Sequence, residues 1–205
     1  MSMINVNVPL LVDKLDRISP VWYKALLDAL PANYLKPKIW TSGADLLLGI
    51  GQSAKITASA ATSIPLHVAC GDGQIYEMEM AGTYTLAAAG AYAILQPNNT
   101  TYTNVFEYAT VYSTVTSTGG AALASTGTGF MLDPSGASVY SLTAKIFTST
   151  ATKRVNTQSF SSTSTVTYSA STGALMQDTT TLWSSLGTVI LPNAWSGEIN
   201  LKRIA

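Results

Sequence analysis

The chain has 205 residues, no net formal charge, 47% hydrophobic residues and 11% charged residues. That length suits one domain with a real core, and a charged fraction far below the roughly 25% of an ordinary soluble domain leaves no basic surface to attract nucleic-acid phosphates. One cysteine, Cys70, excludes an internal disulfide or a cysteine zinc site, and one histidine, His67, restricts acid–base chemistry.

Met1 to Val12 lacks a basic segment ahead of a long apolar run, so no signal peptide is expected. Nothing approaches the run of about 18 apolar residues that a membrane-spanning helix needs, so no membrane insertion is expected. Leu11, Leu15 and Ile18 recur at helical spacing, with Asp13, Lys14, Asp16 and Arg17 on the other face. Ser19-Pro20 reads as a helix cap followed by proline at the first helical position. A second short helix then carries Trp22, Leu26 and Leu30 and stops at Pro31. Lys36-Pro37-Lys38 is a connector. The predicted organisation is a helical attachment segment over 1–40 and a β-domain over 41–205. The stripe Leu11, Leu15, Ile18, Trp22 and Leu26 needs a partner and is the candidate attachment surface.

From about Lys55 the period changes to two. Ile64, Leu66, Val68 and Cys70 share one strand face, which makes Cys70 a small buried apolar residue. His67 lies on the opposite face with Pro65 and Ala69. Asp72-Gly73 is a hairpin turn signal. Ile75, Glu77 and Glu79 then alternate with Tyr76, Met78 and Met80. Thr83 to Leu95 contains Tyr84, Leu86 and Ala88 and then Tyr92 and Ile94, with Gly90 as a break, and Pro97-Asn98-Asn99 turns the chain. Val105 to Val115 is a long strand candidate, with Phe106, Tyr108 and Tyr112 on one face and Val105, Ala109, Val111 and Val115 on the other. A strand apolar on both faces is either central in a sandwich or packed on another subunit, so Phe106, Tyr108, Tyr112 and Val111 are the candidate subunit interface. Asp133-Pro134-Ser135-Gly136 reads as a type I turn. Tyr140, Leu142, Ala144 and Ile146 alternate, as do Val166, Tyr168 and Ala170. The polar stretch around Ser159 to Ser164, with Lys153 and Arg154 before it, suggests a solvent-exposed hairpin over Lys145 to Ser171. Thr188 to Leu191 and Gly197 to Ile204 close the chain. Serine and threonine, about a quarter of the residues, suit strands and turns. Eight or nine strands without interleaved helices predict a mainly β fold, an antiparallel sandwich of jelly-roll type.

Chemistry-bearing patterns are sparse. Triad catalysis needs a histidine between a nucleophile and an orienting acid, and no nucleophile-elbow sequence accompanies His67. Glu77 and Glu79 share a strand face, and with Asp72 they are the nearest approach to the paired carboxylates of a glycoside hydrolase. Strand neighbours of that kind usually form a solvated face. Gly49-Ile50-Gly51 lacks the remainder of a phosphate-binding loop. The expectation is a non-enzymatic protein with no catalytic residue, no cofactor and no metal. Ten tyrosines on a charge-poor chain make a carbohydrate- or receptor-binding module the alternative, because tyrosine stacks and hydrogen-bonds at once; a polysaccharide hydrolase is the less favoured one.

The alternating terminal strand Trp195-Ser196-Gly197-Glu198-Ile199-Asn200-Leu201-Lys202-Arg203-Ile204, preceded by Leu186-Gly187-Thr188-Val189-Ile190-Leu191-Pro192, resembles virion proteins of tailed bacteriophages. The similarity is to tail-fibre tips, head fibres and capsid-decoration proteins. It implies a virion location, a homotrimer of jelly-roll-like domains, attachment to other virion proteins through the N-terminal segment, and an outward β-domain that contacts host cell-surface glycan.

Overall fold

The computed structural model describes residues 38–39, 45–85, 93–102, 105–113, 129–133, 139–162, 167–176 and 180–205. The chain divides into two units, Met1–Lys36 and Pro37–Ala205, and every described residue belongs to the second. The helices predicted before Pro31, and with them Leu11, Leu15, Ile18, Trp22 and Leu26, lie outside the described residues.

The second unit is mainly β. Its strands in chain order are β1 (Lys38–Ile39), β2 (Leu46–Leu47), β3 (Ser53–Pro65), β4 (Val68–Ala69), β5 (Ile75–Tyr84), β6 (Ala93–Gln96), β7 (Val105–Ser113), β8 (Phe130–Asp133), β9 (Val139–Thr148), β10 (Lys153–Ser162), β11 (Thr167–Met176) and β12 (Thr188–Arg203). Ten of them form one sheet in the order β1-β3-β12-β5-β9-β10-β11-β7, with β6 paired to β12 and β8 paired to β6. All these pairings are antiparallel except β1 with β3. The remaining pair, β2 and β4, is parallel. The fold is thus mainly β and mostly antiparallel, with ten of its described strands in one connected sheet.

The sheet branches at β12, and the sequence of that strand explains how. Thr188 to Ile190 pairs with β6, while Trp195 to Arg203 pairs with β5. Between them the register with β3 slips across Leu191-Pro192-Asn193-Ala194. Proline has no N–H to offer a ladder, so pairing breaks there and the strand can serve different neighbours on either side. The two predicted terminal strands are thus one bent strand of 16 residues. The β6–β8 branch lies over the inner face of the main sheet, where β8 meets β10 and β11.

Between the branch and the sheet lies the core. Alternation supplies it: Tyr76, Met78 and Met80 from β5, Leu142, Ala144 and Ile146 from β9, and Val189, Leu191, Trp195, Ile199 and Leu201 from β12 are all buried. Each large apolar side chain contributes about 1.5–3 kcal/mol when fully buried. Phe130 of β8 meets Trp183 edge-on at a centroid distance of 5.0 Å, and Tyr102 stands 6.0 Å from Phe130. The inner side of β10 is polar at three positions, Lys153, Thr157 and Ser159. There the Thr157 hydroxyl donates to Leu132 O at 2.8 Å and Thr172 donates to Met131 O at 3.3 Å. The two hydroxyls also touch each other across the β10–β11 pair. Threonines on the sheet thus satisfy carbonyls of the strand laid over it, as buried polar groups require.

Several local expectations change. Ile64 to Cys70 is not one strand: β3 ends at Pro65 and His67 adopts φ +52, although Ile64, Leu66 and Val68 remain buried as the alternation predicts. Gly73 makes the expected turn at φ +71, but its flanking strands pair elsewhere, β4 with β2 and β5 with β12 and β9. On β6 the buried positions are Ala93 and Leu95 rather than Ile94. Lys145 to Ser171 is not a projecting hairpin. Its described residues belong to the β9–β10–β11 meander of the sheet, and Lys153 is fully buried, its Nζ donating to Thr150 O at 3.3 Å. The turn at Pro134-Ser135-Gly136 lies outside the described residues.

Candidate functional site

Two places gather chemistry-bearing side chains. The first surrounds His67. The segment Ser184–Gly187 runs beside β4, through Cys70 N donating to Ser184 O at 2.9 Å and Leu186 N donating to Val68 O at 2.9 Å. Asn98, held at φ +53, clamps that segment: its Oδ1 accepts from Ser184 N at 2.9 Å and Ser185 N at 3.0 Å, and its Nδ2 donates to Leu182 O at 2.8 Å. Ser185 is thereby aimed at Asp45, and its hydroxyl donates to Asp45 Oδ2 at 2.5 Å. Asp45 Oδ1 lies 3.6 Å from His67 Nδ1.

Serine, aspartate and histidine are adjacent here, but in the wrong order for nucleophilic catalysis. A triad places the imidazole between the hydroxyl and the acid; here the carboxylate is in the middle. Ser185 Oγ also accepts from Gly187 N at 3.1 Å. Cys70 is no better placed as a nucleophile, because burial, helped by the negative charge of Asp45, pushes its thiol up to about 12. The constellation works as a fastener joining Asp45, the strand pair β2–β4 and the Ser184–Gly187 segment. Sequence reasoning found His67 and missed Asp45 and Ser185, which lie 140 residues apart and carry no local signal.

The second place is the outer face of the sheet. Register aligns Lys55, Asn200, Glu79, Thr143, Gln158 and Ser171 across six strands. The neighbouring rows are Ser53, Lys202, Glu77, Lys145, Asn156 and Gly173 on one side, and Thr57, Glu198, Ala81, Ser141 and Phe160 on the other. Farther out, Ile75, Phe147, Arg154 and Leu175 share a row. There the Arg154 guanidinium lies 4.2 Å from the Phe147 ring centroid, a cation–π contact. Lys55 Nζ meets Glu198 Oε1 at 2.6 Å; both are well exposed, so the pair is worth at most about 1 kcal/mol.

Glu77 and Glu79 share this outer face, as their spacing requires. Glu77 stands in register between Lys202 and Lys145, and Glu79 between Asn200 and Thr143. Asp72 does not join them. Its Oδ1 accepts from Thr150 N at 2.5 Å, and that backbone hydrogen bond holds its carboxyl below the usual range. Asp72 thus fastens the β9–β10 turn. The better neighbour for Glu79 is Glu198, which sequence distance hid: both line an open depression of about 230 Å³ with Ser141, Thr143 and Asn200.

The proposed interface strand is β7, and it ends the sheet, paired only with β11 among the described residues. It is therefore not central. Phe106 stands opposite Leu175, Tyr108 opposite Gly173, Val111 opposite Ala170 and Tyr112 opposite Ser169; the side chains of these four β7 residues lie outside the described set. Among the described residues, no group of three or more histidine, cysteine, aspartate or glutamate side chains is placed to hold a metal, and no helix is long and apolar enough to cross a membrane. Comparison with protein families, with curated proteins and with solved structures finds no match.

Proposed function

We propose that the chain is a non-enzymatic structural component of a tailed-bacteriophage virion, of the fibre-tip, tail or capsid-decoration kind. In this reading the stripe Leu11, Leu15, Ile18, Trp22 and Leu26 docks on other virion proteins, and the β-domain faces outward as part of a homotrimer. The jelly-roll-like layering belongs to the same proposal, with the β6–β8 branch as the second layer. The observation that carries the reading is the sheet's last strand. β7 is nine residues long, and its outer edge has no strand partner among the described residues. Such an edge offers a row of N–H and C=O groups to another chain, and a protein built to assemble has a use for it. The near-zero net charge works in the same direction. The resemblance segment at the C-terminus is β12, which joins both branches of the sheet.

The direct test is particle composition. Density-banded phage particles from the source culture, digested and measured by peptide mass spectrometry, should contain this chain in fixed ratio to the major capsid protein. Its absence from banded particles, with the chain recovered only in the soluble fraction, would overturn the proposal.

A further inference from the structure

The depression on the outer face opens where β12, β5 and β9 run side by side. Its floor is low because the register neighbours Ala81 and Ser141 are both small. Glu198 and Asn200 from β12, Glu79 from β5 and Thr143 from β9 stand around it. Glu198 pairs with Lys55, whereas Glu79 makes no ion pair among the described residues. Phe160 is the cross-strand neighbour of Ser141 and is 52% exposed. No other large exposed apolar side chain among the described residues lies on this face.

An aromatic ring left half in water adds little to the core. Beside a trough of carboxylate, amide and hydroxyl groups it supplies a flat apolar platform with polar partners alongside. A ligand that matches both has one face of C–H groups and an edge of hydroxyls that can donate to Glu79 and Asn200. The two carboxylates disfavour phosphate and other polyanions. A pyranose ring has these properties. We propose that the trough is a saccharide subsite: Phe160 stacks on the C–H face of the sugar, Glu79 and Asn200 accept from ring hydroxyls, and Ser141 and Thr143 complete the hydrogen bonding. This deepens the outward-domain reading by naming its ligand class, and it moves the aromatic contact from the tyrosines to Phe160.

The test uses the full-length protein with maltohexaose, cellohexaose and the hexamer of N-acetylglucosamine, by saturation-transfer NMR and calorimetry. At least one should bind. Phe160→Ser and Glu79→Gln should each weaken it about tenfold with an unchanged urea midpoint, while Arg154→Ala, on the same face but away from the trough, should leave affinity intact. Failure of all three sugars to bind, or full affinity in both trough variants, would overturn the proposal. Neither outcome depends on particle composition: a chain absent from particles could still bind sugar here, and a virion component without this site would fail only this test.

Discussion

Asn98 shows how much a single side chain can fix when the backbone puts it in the left-handed region, which asparagine tolerates better than most residues. Its amide holds Leu182, Ser184 and Ser185, and through them the Ser185–Asp45 contact. Asn98→Ala removes those hydrogen bonds and adds backbone strain, so urea unfolding should show a loss of about 2 kcal/mol. At Gly82 the constraint is space: a Cβ would stand 2.3 Å from Ser196 O and 2.6 Å from the Trp195 ring. Gly82→Ala should destabilise by about 3 kcal/mol by the same measurement, because backbone and a fully buried indole cannot both retreat. Cys70 is a third case. With its pKa near 12, the native thiol should react with a disulfide reagent at pH 8 about a thousandfold more slowly than after unfolding.

At the scale of elements, the β8 contact carries the clearest expectation. Thr157→Val keeps the shape of the side chain but strips Leu132 O of its buried donor, and should cost about 1–3 kcal/mol; a neutral result would mean that carbonyl has another partner. The same strands show what alternation can reveal. β5 and β9 were legible because their inward residues, such as Met78 and Ile146, are apolar and their outward ones mostly polar. β10 was hidden because the pattern is nearly reversed, with Lys153, Thr157 and Ser159 buried and Phe160 exposed. Threonines that bond an overlying strand look, in sequence, like a solvated loop. The bend in β12 was read as a gap for a related reason: Pro192 interrupts the ladder without ending the strand. The candidate trough was half legible. Glu79 follows from local alternation, but Glu198, Asn200 and Phe160 reach it only through long-range register, which no local pattern encodes.

For the molecule as a whole, two titrations set an alkaline limit. Burial raises Cys70 from 9.0 to about 12 and Tyr76 from 10.0 to about 12. Both are neutral acids favoured in the folded state. Their contribution is complete below the unfolded values and is lost as pH climbs through the folded ones. The urea midpoint should therefore hold up to about pH 9 and fall towards pH 12, with Cys70→Ala removing the earlier part of the decline. Assembly is tested most directly by solution mass from light scattering, on the full chain and on a form lacking residues 1–36, which spares β1. A trimer is expected in both, because β7, whose outer edge has no strand partner among the described residues, belongs to the second unit. A monomer in both would contradict the proposed assembly.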